Sequence, residues 1–351
     1  MGDSALWVKG EYFDDFDAVE AAARGSLDRA AQPILFDRLA WFRRTWEHCP
    51  PGVRPLVARA VSEKAQCWLF LARKEDLSLT ALASWYTLAF RPVFSGVADD
   101  AMKLRLLTAI AKRLRGTLKA HRITLSPVPV EDGSAKLLAV AFARAGWKVA
   151  QSPATVNWVA RTTGLSFADY WKQRPGELRS TVMRKAAKTD LEIEIFQSFD
   201  EAAWQCYETI YEQSWKPEEG APGFLRTMAT DEGTAGTLRL GVAKLAGRPV
   251  AAQLWTVENG AAIIHKLAYV EDAAAHSPGT LLSAAMFEHA LDRDQVSLID
   301  YGTGDDGYKA NWMDDARALE HLEMFNPRTI AGWFGWIRAR LRNLVRGRRV
   351  D

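Results

Sequence analysis

The sequence predicts a mixed α/β protein of two tandem units, each a mostly antiparallel sheet flanked by helices, with an amphipathic helix at its end. Three observations carry that expectation. The order strand, strand, strand, helix, strand, helix, strand can be traced twice, which marks a diverged internal repeat. The 351 residues suffice for two domains, and 48% hydrophobic with 25% charged residues supply ordinary core and surface. Near the end, Ile330, Trp333, Phe334, Ile337, Leu341, Leu344 and Val345 recur at a helical period, with Arg338, Arg342, Arg346 and Arg349 toward the other side. The expected division is 1–165, 166–327 and 328–351.

The first thirty residues, acidic and Ala-rich, read as one short strand and helix. Residues 34–49 follow as a helix with Leu35, Leu39, Phe42 and Trp46 on one stripe. After Pro50-Pro51-Gly52 come strands at 54–62, 67–73 and 80–90, a helix at 102–115, a strand at 122–126, a helix at 135–145 and a strand at 147–160. Residues 166–188 read as a helix broken at Pro175-Gly176, carrying Lys172, Arg174, Arg179, Arg184, Lys185 and Lys188; a solvated charged face and an anion-facing element both fit. A helix at 200–215 ends in Ser214-Trp215-Lys216-Pro217, and the Gly- and Pro-rich stretch to Phe224 reads as a lid. The second copy continues with strands at 238–245, 250–257 and 262–270, a helix from Thr280, a strand at 296–301, a short helix and a strand at 318–325.

A net charge of +2 excludes a grossly basic nucleic-acid binder. No apolar stretch is long enough to span a membrane, and Met1-Gly2-Asp3-Ser4 opens no signal-peptide core, so the expected location is cytoplasmic. Cys49, Cys67 and Cys206 are scattered among apolar neighbours and read as free thiols, with no metal role. Fourteen tryptophans supply core, membrane-interface or long-pocket material.

The stretch 261–315 organises the second copy. A strand runs into His276-Ser277-Pro278-Gly279, Thr280 can cap the following helix, and the next strand runs into Gly302-Thr303-Gly304-Asp305-Asp306-Gly307-Tyr308-Lys309. A helix start after a small-residue loop can hold phosphate through free amides and the helix dipole, although Pro-Gly can equally be only a turn. It is neither a Walker loop nor a dinucleotide fingerprint. The first copy has Phe94-Ser95-Gly96-Val97-Ala98-Asp99-Asp100 before its helix, and no Gly-Asp-Asp-x-Tyr-Lys block.

Ser277-Pro278-Gly279 and the block from Gly302 to Trp312 resemble the GNAT acyltransferase superfamily, in particular its double-GNAT branch of Fem-type aminoacyl transferases and CelD-like acetyltransferases. The resemblance extends through 174–188 and 35–46, and so over most of the chain. It implies two GNAT-like domains, acyl-CoA as donor and co-substrate, an amine acceptor, and no metal. Donor binding falls to the second copy; the first supplies packing and the acceptor side. The resemblance also implies that backbone amides among Leu267, Ala268 and Val270 polarise the thioester carbonyl. Those of Ser277, Gly279 and Thr280, with His276 nearby, would hold the pyrophosphate.

Acyl transfer needs a base for the amine and an acid for the leaving thiolate. His265, in an apolar strand, is a base or a satisfied core residue. Asp305 is a second base candidate, Glu288 a third, and paired Asp305-Asp306 could instead cap a helix. Lys309 reads as an electrostatic group, Tyr301 as a general acid, and Trp215, Gln253 and Asp306 as substrate contacts.

The tail has the form of an interfacial membrane anchor, with docking on the protein's own core as the rival reading. Together with the tryptophans it suggests a long-chain or lipid amine at the inner membrane surface, such as a sphingoid base in a bacterial ceramide synthase-like enzyme. Two alternatives stand beside it: a Fem-type transferase using aminoacyl-tRNA, and a non-enzymatic protein of an exopolysaccharide system.

Overall fold

The computed structural model describes residues 8–49 and 54–347; Pro50-Pro51-Gly52 and the side chains from 343 onward, with Leu344, Val345, Arg346 and Arg349 of the expected tail, lie outside what is described. Along the chain the elements are β1 (Lys9–Phe13), α1 (Phe16–Ala23), α2 (Leu39–His48), β2 (Arg54–Val61), β3 (Ala65–Arg73), β4 (Leu79–Ala81), β5 (Val93–Gly96), α3 (Asp100–Gly116), β6 (Arg122–Pro129), α4 (Ser134–Arg144) and β7 (Lys148–Arg161). There follow α5 (Phe167–Lys172), α6 (Gly176–Ala186), β8 (Leu191–Phe196), α7 (Glu201–Glu212), α8 (Pro222–Thr234), β9 (Leu238–Leu245), β10 (Arg248–Glu258), β11 (Ala261–Tyr269), α9 (Pro278–Glu288), β12 (Leu298–Thr303), β13 (Asp315–Phe325) and α10 (Ile330–Gly347).

Two compact units are formed, one from the residues up to Thr155 with those from Arg317 onward, the other from Val156–Ala316. Unit 1 orders its strands β1-β2-β3-β4-β6-β13, with β5 on β3, and every pairing is antiparallel except β4–β6. Unit 2 orders its strands β8-β9-β10-β11-β12-β7, antiparallel except β11–β12. The match, strand for strand, makes the repeat visible in the pairing. The last strand of each sequence copy closes the other unit: β13 pairs with β6, and the end of β7 with β12.

Each sheet has its own core. In unit 1, Phe42 stacks on Phe70 beneath α2, and α3 buries Leu106, Leu107, Ile110 and Leu114. In unit 2, Tyr170, Trp255, Phe287 and Trp312 pack together from α5, β10, α9 and the segment after β12. These are large apolar side chains, each worth roughly 1.5–3 kcal/mol when buried.

Several sequence expectations change. The strand expected over 80–90 is only Leu79–Ala81, because Pro92 and the turn at Ser84–Thr87 take the chain out of the ladder. The stretch expected as an irregular lid gives way at Pro222 to α8, with proline at its first turn. Strand β8, alternating Glu with Leu and Ile on a sheet edge, was not anticipated. Helix α9 starts at Pro278, so Thr280 is not its cap; Ser277 holds that place in a left-handed conformation without a side-chain cap bond.

Candidate functional site

In unit 2 the strands β11 and β12 run side by side for only three registered pairs, Ala261↔Leu298 to Ile263↔Asp300. Beyond that both bend. β11 carries an extra residue against β10 at His265, between the pairs Leu254↔Lys266 and Trp255↔Ile264. β12 carries an extra residue against β7 at Tyr301-Gly302, where Gly302 has φ +78° and its amide donates to Asp300 Oδ1 at 2.8 Å. Bulges on the two outer edges turn the strands apart, and a wedge opens between 264–269 and 301–303. A positive φ makes glycine the natural residue at 302.

Inside the wedge the amides divide. Val270 N donates to Val250 O of β10 at 3.0 Å, and strand alternation turns Ala268 the same way. Leu267 and Tyr269 therefore present their amides to the open side. Of the four residues 267–270, Ala268 and Val270 have amides committed to β10, and Leu267 and Tyr269 have amides on the side away from it.

The start of α9 faces this end of β11, with Tyr269 lying over Gly279: a Cβ there would meet Tyr269 Cδ1 at 2.9 Å. Two of the expected phosphate-binding amides have protein partners. Ser277 N donates to Ala274 O at 3.0 Å and Thr280 N to Ser277 O at 3.1 Å. Gly279 N, with no such bond, remains available among the described residues. His276 ends the preceding turn, half-buried. The first turn of α9 carries no acidic residue.

Gln253 is not placed to touch substrate. It is fully buried and satisfied: Nε2 donates to Ser283 Oγ at 2.7 Å, and Oε1 accepts from Trp255 Nε1 at 2.8 Å. It ties α9 to β10, as a central strand residue facing inward does. Tyr301 is buried too, and desolvation pushes its phenol above the usual value, so it keeps its proton. His265 Nε2 lies 2.9 Å from Thr256 Oγ1, the contact expected of a strand histidine with a structural partner.

The block after β12 is pinned by Lys309. Its buried Nζ donates to Thr303 O at 2.6 Å and pairs with Asp306 at 3.1 Å. Asp305 beside it is exposed and forms no ion pair among the described residues. Arg174, read from sequence as one of a basic cluster, is buried; it donates to Trp312 O at 2.9 Å and pairs with Asp314. Lys185 of α6 donates to Ala275 O just before α9, leaving Arg179 and Arg184 exposed on a helix that packs against α9, with Lys188 exposed just past its end.

Opposite the block, exposed Trp215 packs on Tyr269 with ring centroids 4.3 Å apart. The next residue, Lys216, has its pKa pushed down to about 8, first by burial and then by Lys266 and Lys309. Lys266 pairs with Glu219 at 2.7 Å. Sequence reasoning missed this lysine group; its only signal was a lysine between an exposed tryptophan and a proline. Among the described residues no group of His, Cys, Asp and Glu could hold a metal ion.

Comparison with known proteins bears on the segment that holds the splayed strand pair and the uncapped helix start. The profile described as "Acetyltransferase (GNAT) domain" matches residues 171–310. The comparison with curated proteins finds no match. Among the solved structures that share the fold are the following three. A C-terminal domain assigned to a lysylphosphatidylglycerol synthetase from Agrobacterium fabrum has TM-score 0.57 at 14% identity, covering 90% of this chain and 94% of its own. FemX has TM-score 0.57 at 12% identity, covering 89% and 96%. A tandem GNAT protein from the clavulanic acid biosynthesis pathway has TM-score 0.50 at 13% identity, covering 90% and 98%. The fold is of the tandem GNAT type.

Proposed function

We propose that the protein is an N-acyltransferase that moves an acyl group from acyl-CoA to an amine, with the donor held in unit 2. The observation that supports this most is the wedge between β11 and β12 next to the uncapped start of α9. The Leu267 and Tyr269 amides can polarise the thioester carbonyl. The diphosphate would lie at Gly279 N, with its charge offset by Lys185, Arg184 and Lys188 rather than by a cradle of several amides. The amine nitrogen, once deprotonated, attacks the carbonyl carbon; the C–N bond forms, the C–S bond breaks, and the departing thiolate takes up a proton. Asp305, exposed at the mouth, and His265 are the groups that could take the amine proton.

The acceptor we favour is a long-chain or lipid amine, of which a sphingoid base is one kind. Helix α10 supports this. Gly332, Gly335 and Ala339 form its inner face, close against Phe325 and Asn326, while Ile330, Trp333, Phe334, Ile337 and Leu341 form an exposed apolar stripe. The helix is thus docked and open at once, with Arg338 and Arg340 exposed beside the stripe. No helix among the described residues is long and apolar enough to cross a membrane. We place α10 on the surface of an anionic bilayer. In flotation with phosphatidylglycerol vesicles the wild type should rise with the lipid and Trp333→Asp/Phe334→Asp should stay at the bottom; equal flotation would refute the placement.

A second reading is aminoacyl-tRNA as donor, favoured by the likeness to FemX and by exposed basic α6. Native mass spectrometry of protein mixed with acetyl-CoA, palmitoyl-CoA and a charged tRNA separates the two: bound acyl-CoA supports the first, bound tRNA alone the second. A protein that binds neither would fit a non-enzymatic role in an exopolysaccharide system.

A further inference from the structure

A cavity of about 570 Å³ opens in unit 2 between α7, the 213–221 segment and α8. That volume is in the range of small-molecule sites. One wall is aromatic: Trp204 and Tyr207 lie 4.8 Å apart by ring centroid, Tyr207 and Tyr211 6.0 Å. The rest is rich in carboxylates, Glu208, Glu212 and Glu218. Glu208 is fixed against the wall by Trp204 Nε1, which donates to it at 2.8 Å. Among the described residues, Glu212 and Glu218 have no ion-pair partner.

The protein already shows what such a wall holds. Lys266 places its ammonium 5.3 Å from the centre of the Tyr211 ring and 2.7 Å from Glu219, a cation between a π face and a carboxylate. A different lysine, Lys216, lines the cavity itself. Glu219, which also lines the cavity, pairs with Lys266 of β11, and Trp215 beside Lys216 packs on Tyr269, which puts that end of the cavity beside β11.

We propose that this cavity is the acceptor pocket and takes an alkylammonium, its charged head among Glu208, Glu212 and Glu218 and its carbon chain along Trp204, Tyr207 and Tyr211. The inference deepens the acyl-transfer reading and rests on it. Rings and carboxylates together select a cation with an apolar stem over a neutral alcohol of equal length, because only the cation gains from both. The stem explains why Pro217, Pro222 and Leu225 also line the space.

The test is calorimetric titration of the full chain at pH 7 without any donor, with n-hexylamine and n-hexanol as probes. Hexylamine should bind and hexanol should bind at least about tenfold more weakly, the size of one well-placed cation–π and charge-assisted contact. Glu212→Gln/Glu218→Gln, both positions exposed, should weaken hexylamine by about tenfold and leave the thermal midpoint unchanged. Equal binding of alcohol and amine, no heat from hexylamine in the millimolar range, or a double variant that binds as well as wild type would each overturn the pocket. Since no donor is present, those failures leave acyl transfer standing. Amine binding without turnover of any acyl-CoA would instead sink acyl transfer and leave the pocket.

Discussion

Units 1 and 2 share one strand order but begin their central helices in opposite ways. In unit 1, α3 is capped by Asp99, whose carboxylate accepts from Met102 N at 2.7 Å, and Asp100 follows in the first turn. Two negative charges stand where a phosphate would have to come. In unit 2, α9 has no side-chain cap and no acid in its first turn, and Gly279 N is available. The strands differ in the same sense. β4 is three residues long and pairs with β6 at two positions, whereas β11 runs six residues past its last pair with β12. One copy is closed into packing, and the other keeps its wedge and its helix start open. The difference teaches that duplicating a fold duplicates a site only where the cap is left off.

Exchanging the caps should break the comparison. The largest effect is expected from Ser277→Asp, which puts a carboxylate at the head of α9; acyl-CoA affinity should fall by at least about tenfold in calorimetry, with the fold intact by circular dichroism. An unchanged affinity would mean the donor lies elsewhere. Next comes Asp99→Ala in unit 1, which should lower unfolding stability by about 1 kcal/mol in urea and leave donor affinity as it was. Gly302→Ala strains the bulge at a φ that glycine tolerates; a stability loss of roughly 1 kcal/mol is expected, with acyl transfer slowed because the wedge closes.

The last effect, on stability and not on donor binding, concerns Lys216. Its folded pKa, about 8, lies below the usual lysine value because burial and neighbouring lysines disfavour its charge. The penalty is therefore fully present below pH 8, where both folded and unfolded chains carry the proton, and fades as pH rises toward 10.5. Lys216→Met should be more stable than wild type at pH 7, and the two urea midpoints should converge by pH 10.5. A gap that grows with pH would contradict the assigned direction.

Much of this was legible beforehand, for physical reasons that differ by element. The helices of 100–116 and 134–144 and the strands around 54–73 and 238–269 show in apolar periodicity, because each buries one face. The block from Gly302 to Lys309 stood out because its glycines serve backbone needs: Gly302 and Gly304 both have positive φ. The exchange of β7 and β13 between units was not legible, since pairing partners leave no local trace in a strand's own pattern. Nor was the sorting of amides at 267–270, which depends on which neighbour β11 pairs with. Gln253 and Arg174 were misread for one reason: a polar residue in a sequence looks available, and only coordinates show that Ser283 and Trp255, or Trp312 and Asp314, already use it.

The central claim is that the wedge of unit 2 holds the acyl donor. It is met most directly by titrating palmitoyl-CoA into the full-length protein and into Gly279→Ala, whose added methyl must displace Tyr269. The account predicts saturable one-to-one binding by wild type and its loss in the variant, with thermal midpoints that stay close. Binding of equal strength in both proteins would contradict it.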